Sequence, residues 1–212
     1  MQVFILSTGR CGSTTFAKAC EHITNFTTAH ESRGGYIGED RFAFPENHIE
    51  SDNRLSWFLG RLDRIHGDRA IYVHLRRDDR KTAESFAERY NRGILRAYRC
   101  KMLMRLPSST NPLDVCLDYC DTVNSNIALF LRDKTKKMDF RMENGHEDFI
   151  TFWKLIGAEG DLQAALAEWD VAYNPRKKKS GLARFFGGLG VRIGCMLTVC
   201  GILRDIVGGS GC

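Results

Sequence analysis

Between the apolar run Val3, Phe4, Ile5, Leu6 and a helical stretch from Thr15 to His22 lies the segment Ser7-Thr8-Gly9-Arg10-Cys11-Gly12-Ser13-Thr14. Glycines and small hydroxyl residues between a strand and a helix let backbone N–H groups converge on an anion at the positive end of the helix dipole. Such a loop takes a phosphate or a sulfate; the competing reading is an ordinary turn with a helix cap. An ATP-type loop places Lys-Ser/Thr directly after its last glycine, to reach the terminal phosphates and Mg²⁺. Here Gly12 is followed by Ser13 and Thr14, and the cation, Arg10, precedes it. A nucleotide kinase or NTPase with a degenerate loop is therefore the alternative, and a Mg²⁺ requirement would mark it.

A second pair suited to an anion is Arg77 and Ser85, at the end of a later apolar run and on the helix that follows. Arg77 supplies a fixed fork of donors for a phosphate dianion and Ser85 adds a hydroxyl two turns along. Alone, an arginine and a serine eight apart describe a solvated helix face. Their meaning comes from their order after the first loop.

Arg10-Cys11-Gly12-Ser13-Thr14 resembles, position by position, the 5′-phosphosulfate loop of the sulfotransferases that use 3′-phosphoadenosine 5′-phosphosulfate (PAPS), Lys/Arg-Ser/x-Gly-Thr/Ser-Thr after the first strand. Cys11 departs from the usual serine or similar small residue, and Thr15 and Phe16 stand where some members carry tryptophan. Arg77 and Ser85 are similar to that family's 3′-phosphate pair. More weakly, the segment from Met138 to Glu143 looks like its late strand and acidic turn, and Phe152 to Trp169 like its helical pair. The likeness covers about residues 1–174. It implies that Gly9, Arg10, Cys11, Gly12, Ser13, Thr14 and Thr15 hold the 5′-phosphosulfate, that Arg77 and Ser85 hold the 3′-phosphate, and that no metal is needed. Sulfonate would pass to a hydroxyl or amine of a small-molecule or glycan acceptor. The catalytic residues implied are Arg10, on the leaving phosphate, and a base near the end of the second strand, where His30-Glu31-Ser32-Arg33 lies. Glu31 is favoured because acidic bases are common among carbohydrate-acting members, and His30 is next. The bland alternative pairs Glu31 with Arg33.

The elements that must position these residues follow from periodicity. A second strand is expected from Phe26 to His30, and Asp52 is expected to cap a helix with Leu55, Phe58, Leu59 and Leu62 on one face. A third strand is expected from Ala70 to Leu75, then a helix with Ala83, Phe86, Ala87 and Tyr90 inward. A long helix from Leu113 to Leu131, a strand from Met138 to Met142 and two helices follow, with stripes Phe149, Phe152, Trp153, Ile156 and Leu162, Ala165, Leu166, Trp169. The segments 31–50 and 106–112 carry no interpretable pattern, and His48 and His66 read as a loop residue and a helix-end surface residue. Strands alternating with amphipathic helices predict an α/β fold, a P-loop-like three-layer sandwich whose mostly parallel sheet is flanked by helices, with ligands beyond the carboxyl ends of the strands.

The chain has 212 residues, which suits one α/β domain, over 1–174, followed by a tail over 175–212. Its formal charge of +5 invites a nucleic-acid partner, but residues 176–212 hold 7 Lys/Arg and one Asp, leaving 24 basic against 25 acidic residues elsewhere. A basic footprint for nucleic acid is therefore absent. The tail opens with Pro175-Arg176-Lys177-Lys178-Lys179 and holds 9 of the 20 glycines. Residues 176–179 are read either as an approach to the 3′-phosphate or as solvated charge. With Phe185 and Phe186 they also suggest weak membrane-surface contact, at ~1 kcal/mol per basic residue. A non-catalytic nucleotide-binding module recruited to membranes is the third functional reading. The tail's longest apolar run, 193–203, is far short of the ~20 residues a spanning helix needs. The eight cysteines show no Cys-x-x-Cys pair, and the chain opens on an apolar strand without the pattern of an export signal. A reducing, cytoplasmic setting is expected.

Overall fold

Val3, Phe4, Ile5 and Leu6 are all fully buried, which a strand achieves only at the centre of a sheet covered on both faces. They belong to β1 (Gln2–Leu6), the middle strand in a computed structural model that describes residues 1–171 and 173. The other strands are β2 (Thr27–His30), β3 (His48–Ser51), β4 (Ile71–Arg76) and β5 (Lys137–Arg141), in the order β2-β3-β1-β4-β5. Every pairing is parallel, with Val3 opposite both Ile49 and Ile71.

Parallel neighbours require crossovers, and here helices supply them. One layer contains α1 (Ser13–Cys20), α6 (Gly145–Ile156) and α7 (Leu162–Ala167). Val3 and Ile5 face it, packed with Phe16, Phe140, Phe149 and Phe152. Phe16 stands edge-on to the rings of Phe140, Phe149 and Phe152 at 5.0, 5.7 and 4.9 Å. The other layer contains α2 (Leu59–His66), α3 (Asp79–Ala87), α4 (Gly93–Ala97) and α5 (Pro112–Leu131). Phe4 and Leu6 face that side, with Leu55, Leu62, Tyr72, Phe86 and Tyr119. The fold is thus an α/β three-layer sandwich on an all-parallel sheet, as the alternation of elements predicts.

Three local expectations are corrected. The segment 31–50 ends in a strand, β3, and His48 within it is buried at 5% exposure, not a surface loop residue. His66, at the end of α2, is also buried. The helix expected after Asp52 is broken. Asp52 does cap, accepting from the Arg54 amide at 2.8 Å, but what it caps is a 3₁₀ turn, Asn53–Trp57, and α2 starts afresh at Leu59. Leu55 and Leu62 reach the core, while Phe58, at the break, is exposed.

Because all strands run the same way, Leu6, His30, Ser51, Arg76 and Arg141 end at one edge of the sheet. From β1 the chain moves outward to β2, steps back to β3, and then crosses to β4 on the other side of β1. The loop after β1 therefore opens where the winding reverses, the crevice in which open α/β sheets take ligands. No helix among the described residues is long and apolar enough to cross a membrane. The basic run at 176–179 and the glycine-rich stretch beyond it lie outside the described residues.

Candidate functional site

The loop leaving β1 is tied down from beneath. Ser56 Oγ donates to the Ser7 carbonyl at 3.1 Å, Gly9 N donates to Ser7 Oγ at 3.2 Å, and the buried Tyr119 hydroxyl donates to the Thr8 carbonyl at 2.8 Å. With these acceptors engaged by the fold, the loop is held by its carbonyl side. Gly9, Arg10 and Gly12 have φ of 81°, 60° and 96°. A Cβ on Gly9 would lie 3.0 Å from Asn53 Nδ2, and one on Gly12 would lie 3.1 Å from Met142 Sδ, so both glycines answer close approach as well as conformation. Arg10 adopts its left-handed conformation without that freedom, at about 1–2 kcal/mol.

Gly12 is the N-cap of α1, left-handed before a right-handed helix, and no side chain caps the helix there. That alternation turns consecutive N–H groups to one side, and the amides of Ser13, Thr14 and Thr15 have no acceptor within the helix. Cys11 contributes backbone only. Its side chain is fully buried, and burial pushes the thiol pKa up. Ser51 Oγ, from the end of β3, donates to the Ser13 carbonyl at 3.3 Å.

Arg10 leaves this loop and reaches α3, where its Nε donates to Ser85 Oγ at 3.1 Å. Ser85 is one of the buried residues of α3. The two halves of the sequence pattern, 75 residues apart, meet through this bond. Burial lowers the Arg10 pKa, and the charges of Arg89 and Arg77 lower it further against the opposing effect of Glu88. A guanidinium remains cationic under such shifts. Arg77 lies in the turn between β4 and α3 and acts on Arg10 through its charge. Asp78 fixes that turn, capping α3 by accepting from the Lys81 amide at 2.8 Å while its own amide donates to Glu143 Oε1 at 2.9 Å.

The base pair from the sequence divides. His30, exposed at the end of β2, brings Nε2 to 3.4 Å from Ser13 Oγ, beside the loop. Glu31 has φ of 54° and pairs with Arg54 at 2.5 Å, and that hydrogen bond raises the Arg54 pKa. The expected alternative partner, Arg33, instead donates to the Asp40 carbonyl at 3.2 Å and lies over the Tyr36 ring.

Sequence reading missed Glu50. This carboxylate is fully buried in β3, accepting from the Ser32 amide at 2.8 Å, the Ser32 hydroxyl at 2.6 Å and His48 Nε2 at 3.1 Å. Burial favours its neutral form, but the donors outweigh it and its pKa is lowered. Glu50 thereby anchors the residue that follows Glu31. No signal in the sequence marks it, because a polar His-Ile-Glu-Ser run lacks the apolar character of a central strand. No group of three or more His, Cys, Asp or Glu able to hold a metal ion occurs among the described residues.

The fold and loop together define a three-layer α/β protein with an anion-sized loop at the reversal of its sheet. No protein-family model and no curated protein matches the chain, so its further reading rests on these residues.

Proposed function

We propose that the protein is a sulfotransferase that moves a sulfonate group from PAPS to a hydroxyl or amine, with a small molecule or glycan as acceptor. The observation that carries the reading is the bond from Arg10 Nε to Ser85 Oγ, which joins the loop suited to a 5′-phosphosulfate to the helix suited to a 3′-phosphate. The uncapped start of α1 supports it, since the free amides of Ser13, Thr14 and Thr15 offer donors to an anion.

In this reading the acceptor oxygen loses its proton to Glu31, or to His30, as it bonds to sulfur. The bond from sulfur to the 5′-phosphate oxygen breaks, and that oxygen keeps the electron pair. Arg10 and the loop amides offset the charge that builds there. His30 sits nearer the loop through Ser13, whereas Glu31 would have to leave Arg54 to act.

The test does not require the acceptor. Calorimetry should find the full chain binding 3′-phosphoadenosine 5′-phosphate about 10²-fold more tightly than ADP, with Arg77→Ala and Ser85→Ala each eroding the preference. Label transfer from PAPS to a panel of sugars, phenols and lipid alcohols then identifies the acceptor class. Equal affinity for the two nucleotides, or tighter binding of Mg²⁺-ATP, would replace this reading with a nucleotide kinase.

A further inference from the structure

Residues 89–113 hold six Lys/Arg and no Asp or Glu, which leaves 18 basic against 25 acidic residues in the rest of 1–175. The positive charge ahead of the tail is thus concentrated between the end of α3 and the start of α5. The inward side of this stretch is fully engaged. Leu95 and Tyr98 are buried, and Ile94 and Leu103 pack against the same core. Tyr98 stands edge-on to Tyr119 at 5.3 Å, and its hydroxyl donates to Asp118 Oδ2 at 2.5 Å, which occupies that carboxylate. The chain then turns tightly, the Leu103 amide donating to the Tyr98 carbonyl at 3.0 Å and the Met104 amide to the Met102 carbonyl at 3.2 Å. On the outward side Arg96, Lys101 and Arg105 are exposed, and so are Met102 at 58% and Met104 at 78%.

Two flexible apolar side chains left in water among cations contribute nothing to the core. They have the composition of an interfacial segment, in which cations meet anionic headgroups and apolar groups enter the boundary with the acyl chains. A single-stranded nucleic acid would instead be met by exposed aromatic platforms. Here Tyr98 is buried and Arg99 lies over the Tyr90 ring at 4.7 Å. We infer that residues 96–105 dock the protein on an anionic lipid bilayer, with Arg96, Lys101 and Arg105 at the headgroups and Met102 and Met104 inserted between them. The inference does not depend on the sulfotransferase reading.

Flotation of the full chain with vesicles of phosphatidylcholine, alone or mixed with phosphatidylserine, tests it. The parent should bind the mixed vesicles, ignore the neutral ones, and be released as salt rises. Replacing Arg96, Lys101 and Arg105 together by Gln should weaken binding by about tenfold or more. Met102→Ser with Met104→Ser should weaken it by about tenfold while the salt dependence persists. All five side chains are exposed, so melting should be unchanged in both variants. Arg132→Gln, at an exposed position just past α5, should bind like the parent. Gln at positions 176–179 separates the basic tail as a source of attraction. If that variant loses all vesicle binding while the two segment variants keep it, the docking surface is not residues 96–105. A parent that ignores the mixed vesicles, or that binds heparin or single-stranded RNA in their place, also overturns the inference, and neither result bears on the preference for 3′-phosphoadenosine 5′-phosphate.

Discussion

Replacing Arg41 with methionine should destabilise the protein far more than its distance from the anion loop suggests. Arg41 and Asp52 form a buried ion pair, with side chains 4% and 0% exposed, and the Arg41 guanidinium also lies 5.7 Å from the centre of the Phe58 ring. The second Asp52 oxygen accepts from the Arg54 amide at 2.8 Å. Arg41→Met preserves apolar volume and strands a buried carboxylate on one N–H. Breaking such a pair from one side costs about 3–5 kcal/mol. At about 2–4 °C per kcal/mol for a unit of this size, melting should fall by about 6–20 °C. Asp52→Asn keeps an acceptor for Arg54 and strands the guanidinium, so it should lose a comparable amount. The double variant removes both charges and should be markedly more stable than the sum of the two losses predicts. Urea unfolding of the parent, both single variants and the double variant closes the cycle. Asn53 follows Asp52 and packs on Gly9, so the single variants should also bind nucleotide less well. A loss below about 1 kcal/mol in Arg41→Met, or simple additivity in the double variant, would refute the account of the pair.

In the PAPS transfer assay, Glu31→Gln should remove most activity while leaving the affinity for 3′-phosphoadenosine 5′-phosphate intact. An inactive His30→Ala beside an active Glu31→Gln exchanges the two roles. His74 is buried between β4 and α5, its Nε2 3.2 Å from Asn124 Oδ1, and burial lowers its pKa despite that bond. The unfolded chain then takes up the proton first, so stability should fall as pH drops below about 6.5. His74→Gln should flatten the decline between pH 7 and 5 in melting experiments, and an unchanged pH profile would assign the decline to other groups.

What the sequence made legible was whatever depended on apolar period and small-residue loops. The strand at Val3 to Leu6 has one face for each helical layer, and the Phe149, Phe152, Ile156 stripe fits a helix packed on a sheet. Both patterns are local. Arg10 and Ser85 entered the candidate site only through the order of the elements that carry them, and their direct bond was not legible, since it depends on where α3 docks. The strand β3 escaped because its buried His48 and Glu50 are polar residues whose partners, each other, Thr27 and Ser32, are supplied only by the fold. Arg54 as the partner of Glu31, and Tyr119 beneath the loop, come from segments brought together only by the fold.

The place of β1 also orders events during synthesis. It is made first, yet its partners are β3 and β4, which pair with it through residues 48–51 and 71–74. An emerging chain thus presents a largely apolar central strand with both edges open until β3 has been made, and with one edge open until β4 has been made. The edge strand β5, laid against β4 at residues 137–141, is the last to join the sheet. Tyr119, which supports the loop after β1, is made after β4 and before β5, so strands β1 to β4 precede that support along the chain.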